Sequence, residues 1–114
     1  MSTEIFDSCV RSKGDLAGVF EYDGETGYFY LCQARGDAVG PILDHIHVLS
    51  GPPNFGAMDV LIRWDHQEEK VGLFICGELW AVFDPASQKT YGGATTDGAI
   101  PAIASEGSAG FETQ

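Results

Sequence analysis

Two histidines one residue apart, in the run Asp44-His45-Ile46-His47, are the side chains of this chain best spaced for chemistry. Alternate residues of a strand project from one face, so His45 and His47 present two imidazoles together, a pair able to grip one metal ion. A metal centre needs further ligands, and the following Val48-Leu49-Ser50-Gly51-Pro52-Pro53 brings no carboxylate. His66 joins the pair only if its turn folds back onto the same face. The ligand set is incomplete. The expectation is no bound metal and no other cofactor, with His45 and His47 as weak metal candidates that are exposed or hydrogen-bonded within the sheet.

Nucleophilic catalysis has its ingredients here but no arrangement. No serine lies in a Gly-x-Ser-x-Gly elbow. Cys32 or Cys76 could pair with His45 or His47, yet a catalytic thiol needs electropositive surroundings to ionise, and a chain of net charge −11 is a poor source of them. Glu21, Asp23 and Glu25 gather at a turn, where three solvated, mutually repelling carboxylates are a plainer reading than a hydrolase pair. The expectation is a protein without enzymatic activity.

The aromatic residues suggest recognition instead. Phe20 and Tyr22 fall on one side of a strand, and Tyr28 and Tyr30 line one side of the next. Each tyrosine offers a large apolar body and a polar tip, which suits either the packed rim of a core, a small-molecule concavity or a protein-contact patch. Ringed by Glu21, Asp23 and Glu25, a patch built on Tyr28 and Tyr30 would attract a basic protein, since complementary charge accelerates encounter.

Strands must position these groups. Ala17–Tyr22 and Tyr28–Gln33 flank the turn-rich Asp23-Gly24-Glu25-Thr26-Gly27 and read as a hairpin. Residues 4–10 read as a short strand, with a helical turn as the alternative. Ile42–Leu49 is opened by Gly40-Pro41 and closed by Gly51-Pro52-Pro53, where consecutive prolines stop a ladder. Met58–Trp64 alternates cleanly, with Met58, Val60, Ile62 and Trp64 on one side, as a half-exposed strand does.

Lys70–Ile75 and Glu78–Asp84 form a second hairpin around Cys76-Gly77. A two-residue loop there sets Phe74 against Leu79, Leu73 against Trp80 and Val71 against Val82. Both faces of that hairpin are apolar, which predicts cover on both sides. No window carries the period of a long helix. The fold expected is mainly β, an antiparallel meander of about six or seven strands curled into a sandwich or partly open barrel.

The whole is one domain of 114 residues, with 44% hydrophobic and 11% aromatic residues to build a core. It divides into an N-terminal segment 1–16, a β core 17–101 and a flexible tail 102–114; Ile100 and Ile103 tuck a coil segment against the sheet, and the end beyond about Ser105 frays. Six basic against seventeen acidic residues give the charge of −11, which repels phosphate backbones and anionic membrane surfaces. Nucleic acid and membrane are therefore not expected as partners. Three scattered cysteines without a Cys-x-x-Cys element, and the lack of an apolar leader or a run of about 20 apolar residues, point to a reduced, cytoplasmic protein. A small sheet must dispose of its edges, and Met58–Trp64 or Ala17–Tyr22 could do so by pairing in a homodimer.

The run Val19-Phe20-Glu21-Tyr22-Asp23-Gly24-Glu25-Thr26-Gly27-Tyr28-Phe29-Tyr30 resembles the opening hairpin of a family of small uncharacterised bacterial proteins, a domain of unknown function. Ile42–His47, Leu61-Ile62-Arg63-Trp64, the hairpin from Leu73 to Asp84 and Ile100-Pro101 are similar to its later pieces, so the likeness covers residues 17–101. Cys76 departs from it, standing where Asn would be more usual. The resemblance implies a mainly β bacterial domain and carries no activity or catalytic residue with it. Taken together, the residues lead us to expect an acidic binding protein, immunity-like or inhibitor-like toward a basic protein. The alternative is a metal-binding or small-molecule-binding β domain that uses the His45/His47 face.

Overall fold

The computed structural model describes residues 4–95 and 99–111. Among the described residues eight strands run in order: β1 (Ile5–Val10), β2 (Leu16–Tyr22), β3 (Thr26–Arg35), β4 (Ala38–Ser50), β5 (Val60–Trp64), β6 (Val71–Ile75), β7 (Glu78–Asp84) and β8 (Lys89–Gly92). They form two antiparallel four-stranded meanders, β1-β2-β3-β4 and β5-β6-β7-β8, stacked as a sandwich. Short loops permit this because antiparallel neighbours can be joined by tight turns. The strand count exceeds the expected six or seven by β8. Its four residues, Lys-Thr-Tyr-Gly, carry too little alternation to announce a strand.

The core lies between the inner faces. Phe20, Tyr22, Phe29 and Leu31 of the first sheet meet Ile62, Val71, Leu73 and Phe83 of the second, all buried. The rings of Phe29 and Phe83 stand 5.1 Å apart across the gap. Burying one such ring contributes roughly 2–3 kcal/mol. Both open flanks of the sandwich are laced. On one, Trp64 Nε1 donates to the Cys9 carbonyl at 3.1 Å, and the Arg11 guanidinium lies 5.1 Å from the Trp64 ring. On the other, the Ala94 N–H donates to the His47 carbonyl at 2.8 Å.

The structure corrects several expectations about local register. Cys76 and Gly77 do form a two-residue loop, with positive φ of 52° and 81°, and Phe74 does oppose Leu79. Beyond that pair the ladder slips: Leu73 opposes Ala81, not Trp80, and Val71 opposes Phe83, not Val82. A bulge at Trp80 inserts one residue, so Ala81 and Phe83 join the core face. Met58 lies outside β5, in the 3-10 turn Ala57–Asp59, and is 98% exposed. β2 lies inside its sheet, so Ala17–Tyr22 offers no edge; the edges are β1, β4, β5 and β8.

The second sheet is covered on its outer side as well, as its two apolar faces require. Helical turn α1 (Ser105–Ser108) and Phe111 pack there. Gly72 makes the slot: a Cβ on it would lie 3.1 Å from Phe111 Cζ and 2.9 Å from Leu79 Cδ1. Lys70 Nζ donates to the Glu106 carbonyl at 2.8 Å, and Arg63 Nη2 to the Phe111 carbonyl at 2.7 Å. The apolar anchor at this end is thus Phe111, while Ile100 stands 54% exposed. Of the stretch 102–114 read as a tail, residues 112–114 lie outside the described residues.

Candidate functional site

The outer face of the first sheet brings together most of the residues singled out by their chemistry. Cross-strand pairing sets Phe6 opposite Glu21, Glu21 opposite Tyr28, and Tyr28 opposite His47. A second row runs Ser8, Val19, Tyr30, His45. Opposed residues share a face, so these eight side chains form one surface.

Tyr28 is its centre. Its ring centroid lies 5.9 Å from Tyr30 in a stacked arrangement, 5.9 Å from His45 and 5.3 Å from His47. Both tyrosines are half-buried and both histidines exposed. Tyr30 rests on a small satellite cluster of Ala17, Val19 and Cys32, which fixes the ring from beneath. Phe20 and Tyr22, by contrast, point into the core, where the Tyr22 hydroxyl donates to the Gly51 carbonyl at 2.8 Å.

How the four rings meet is a matter of β4. At the β3–β4 turn Arg35 opposes Ala38 and Ala34 opposes Val39. Farther along, Cys32 opposes Ile42 and Leu31 opposes Asp44, so β4 gains two residues on β3. Gly40-Pro41 sits within the irregularity, where proline's missing N–H leaves no ladder bond unmade. The slide of two leaves His45 and His47 on the tyrosine side and sets both opposite a tyrosine, where the turn's own register would pair Tyr28 with His45 and Tyr30 with Leu43.

The carboxylates divide into two roles. The Asp23 carboxylate accepts from the Thr26 N–H at 2.8 Å and the Glu25 N–H at 2.9 Å, closing the β2–β3 turn. Those backbone bonds, Thr26's first, hold it below the usual carboxylate range. Glu25 stays in that turn, its carbonyl accepting from Gly51. Glu21 alone of the three stands within the face. The Tyr30 phenol is pushed up, first by burial and then by the charge of Glu21, with smaller contributions from Tyr28 and Asp23. A negative field therefore reaches the phenol tip.

Burial pushes up the thiols of Cys9 and Cys32, with Asp7 and Glu68 adding to the effect at Cys9, which disfavours thiolates. His47 Nε2 is taken up by Ser50 Oγ at 2.9 Å and the Leu49 carbonyl at 3.1 Å. His66 belongs to the β5–β6 turn of the other sheet, its N–H donating to Gly110. Among the described residues no three His, Cys, Asp or Glu side chains gather where a metal ion could be held. Phe6, 66% exposed at the end of the first row, was not singled out by sequence. Its signal was the alternation of β1, with Ile5 inward and Phe6 outward.

No described helix is long and apolar enough to cross a membrane. A family model described as an uncharacterised protein conserved in bacteria (DUF2251) matches residues 1–96. An uncharacterised protein of Haemophilus influenzae is 42% identical over 72 residues, a stretch covering 60% of this chain and 44% of that protein. The chain therefore spans under half the length of this curated relative. No solved structure matches it.

Proposed function

The chain belongs to that family of uncharacterised bacterial proteins, and on that premise we propose that it is a non-enzymatic binding protein whose Tyr28–Tyr30 face docks a basic protein. The observation that carries this reading is the pair of adjacent rows that set the exposed or half-buried rings of Phe6, Tyr28, Tyr30, His45 and His47 on one face, with the Glu21 charge among them. Aromatic bodies with polar tips remain soluble when free and bury area on contact. Glu21, with Asp23 and Glu25 at the adjoining turn and a chain charge of −11 behind them, supplies the attraction for cations. Lysine stems would lie over the rings while their ammonium groups reach the carboxylates, and arginine would stack on tyrosine as well. A concrete form is an immunity-like or inhibitor-like protein that neutralises a basic toxin or enzyme in the cytoplasm.

The test is capture from the native bacterium on immobilised protein, in parallel for wild type, Glu21→Lys and Tyr30→Ala. The expected result is a basic partner held by wild type at low salt, released at high salt, and lost with Glu21→Lys. Charge attraction between exposed groups weakens as the screening length falls from about 10 Å at 0.1 M to about 3 Å at 1 M. A partner held equally at both salts and by both variants, or no partner, would refute the reading.

A further inference from the structure

We propose that a cleft at one end of the sandwich binds a neutral, flat aromatic molecule. The cleft measures about 860 Å³ and opens to solvent, within the range of roughly 300–1,000 Å³ common for small-molecule sites. Its floor reaches the core: Val48 of β4 and Ile75 of β6, 1% and 3% exposed, belong to opposite sheets. Leu49, Phe55 and Trp80 wall it, and Ser50 and Asn54 stand at its rim. Among the described residues no Asp, Glu, Lys or Arg lines it, in a chain with six basic and seventeen acidic side chains.

Trp80 makes the cleft more than a gap between sheets. Had β6 and β7 kept the register of their turn, Trp80 would oppose Leu73 and share its core face. The bulge removes it from the ladder and leaves the indole half-buried on the cleft wall. Re-aiming one side chain is a recurrent use of a bulge. Two glycines hold this one. Gly93 N–H donates to the Trp80 carbonyl at 2.9 Å, and Gly92, at φ 84°, approaches so closely that a Cβ on it would lie 2.2 Å from that same oxygen.

The two tryptophans also differ at their nitrogens. Trp64 Nε1 donates to Cys9, whereas the Trp80 indole N–H makes no hydrogen bond to a described residue. An aromatic ligand would stack on the Trp80 ring and present an acceptor to its N–H. Charge selects further: the acidic chain repels anions, and no described carboxylate inside the cleft is placed to hold a cation. The cleft adjoins the tyrosine face at His47 but does not depend on the docking role proposed for that face.

Two fluorescent probes with the same rings test this, neutral N-phenylnaphthylamine and anionic anilinonaphthalene sulfonate. The neutral probe is expected to show saturable enhancement with energy transfer from tryptophan, and the sulfonate to bind about tenfold more weakly. Trp80→Leu should weaken the neutral probe about tenfold, and Ile100→Glu, at the exposed mouth, about threefold. Ile100→Glu keeps the test open if Trp80→Leu fails to fold, and Met58→Ala, 98% exposed and outside the cleft, should leave the affinity for both probes unchanged. Equal affinity for the two probes, no saturable binding, or a neutral-probe affinity indifferent to every folded cleft variant would overturn the proposal.

Discussion

The outer faces of the two sheets are both products of a four-strand meander, and they end in opposite conditions. Sheet β5–β8 carries Phe111 in the slot over Gly72, Gly107 against the Tyr91 ring, and three hydrogen bonds from Arg63, His66 and Lys70 to main-chain carbonyls of residues 106–111. Sheet β1–β4 carries, among the described residues, no such cover over Tyr28, His45 and His47. Side-chain chemistry explains the difference. The covered face presents Phe74, Leu79 and Val82, which lack polar tips and gain by burial. The open one presents hydroxyls, imidazoles and a carboxylate, which keep water while their ring bodies stay available. A small-residue segment such as Ser-Glu-Gly-Ser-Ala-Gly can lie close on a sheet, and the chain has spent its segment on the face that needed it.

If that contrast is right, truncation on the two faces should differ in stability by the largest margin of any test here. Phe111→Ala removes a ring 5% exposed and opens a void over Gly72, and should destabilise by about 3 kcal/mol in urea denaturation. Tyr28→Ala, on the open face, should cost about 1 kcal/mol or less. Equal losses would mean that both faces are structural, and would remove the reason to read one as a docking surface.

Lys70 sharpens the comparison from the covered side. It is 8% exposed, and its ammonium donates to the Glu106 carbonyl. A hydrogen bond from a charged donor contributes about 1.5–3 kcal/mol, so Lys70→Ala should cost about 2 kcal/mol. Amide exchange should locate the loss: faster exchange at Gly107, Ala109 and Phe111, whose N–H groups bond within that segment, with β2 and β3 unchanged. Uniform acceleration through both sheets would show that the segment and the core are one cooperative unit.

Much of this contrast could be read in the residues, and the unread part has one physical cause. Alternation within a strand separates faces, which is why Tyr28 with Tyr30, and His45 with His47, could each be placed together. Alternation does not give register between strands. The two one-residue slips of β4, at Gly40-Pro41 and at Leu43, and the bulge at Trp80 are set by tertiary packing, and they decide that both histidines oppose tyrosines and that the indole leaves the ladder. The cleft was illegible for the same reason, since its lining comes from β4, the 50–55 loop, β6, β7 and residues 94, 95, 99 and 100. Asp23 was legible as a turn residue, but sequence could not show that its carboxylate is consumed by its own turn.

That use of Asp23 gives a smaller, pH-dependent effect. Its pKa is depressed in the fold, so the stabilisation it brings is present above the ordinary carboxylate range and is lost as pH falls through the lowered folded value. Asp23→Asn keeps an acceptor oxygen but no charge, and should lower the neutral plateau slightly and so flatten the acid limb of stability against pH. Asp15, lowered by its hydrogen bond with Arg11, continues to titrate in that variant, so the limb should shrink without vanishing. An unchanged limb would place the acid sensitivity elsewhere.

The finest test of the open face is the Tyr30 phenol, raised by burial first and by Glu21 second. Its folded pKa exceeds the unfolded one, so the associated stability is complete below the unfolded value and drains away as pH climbs through the folded one. Glu21→Gln removes the charge and leaves the burial. The phenolate absorbance of that variant should therefore appear at lower pH than in wild type, yet still above an ordinary tyrosine, and its alkaline loss of stability should be smaller. A cation docked on the face should lower the phenol in wild type too, by screening the same carboxylate. If the variant titrated like wild type, Glu21 would exert no field on the ring, and the tyrosine surface would have no electrostatic reason to prefer a basic partner.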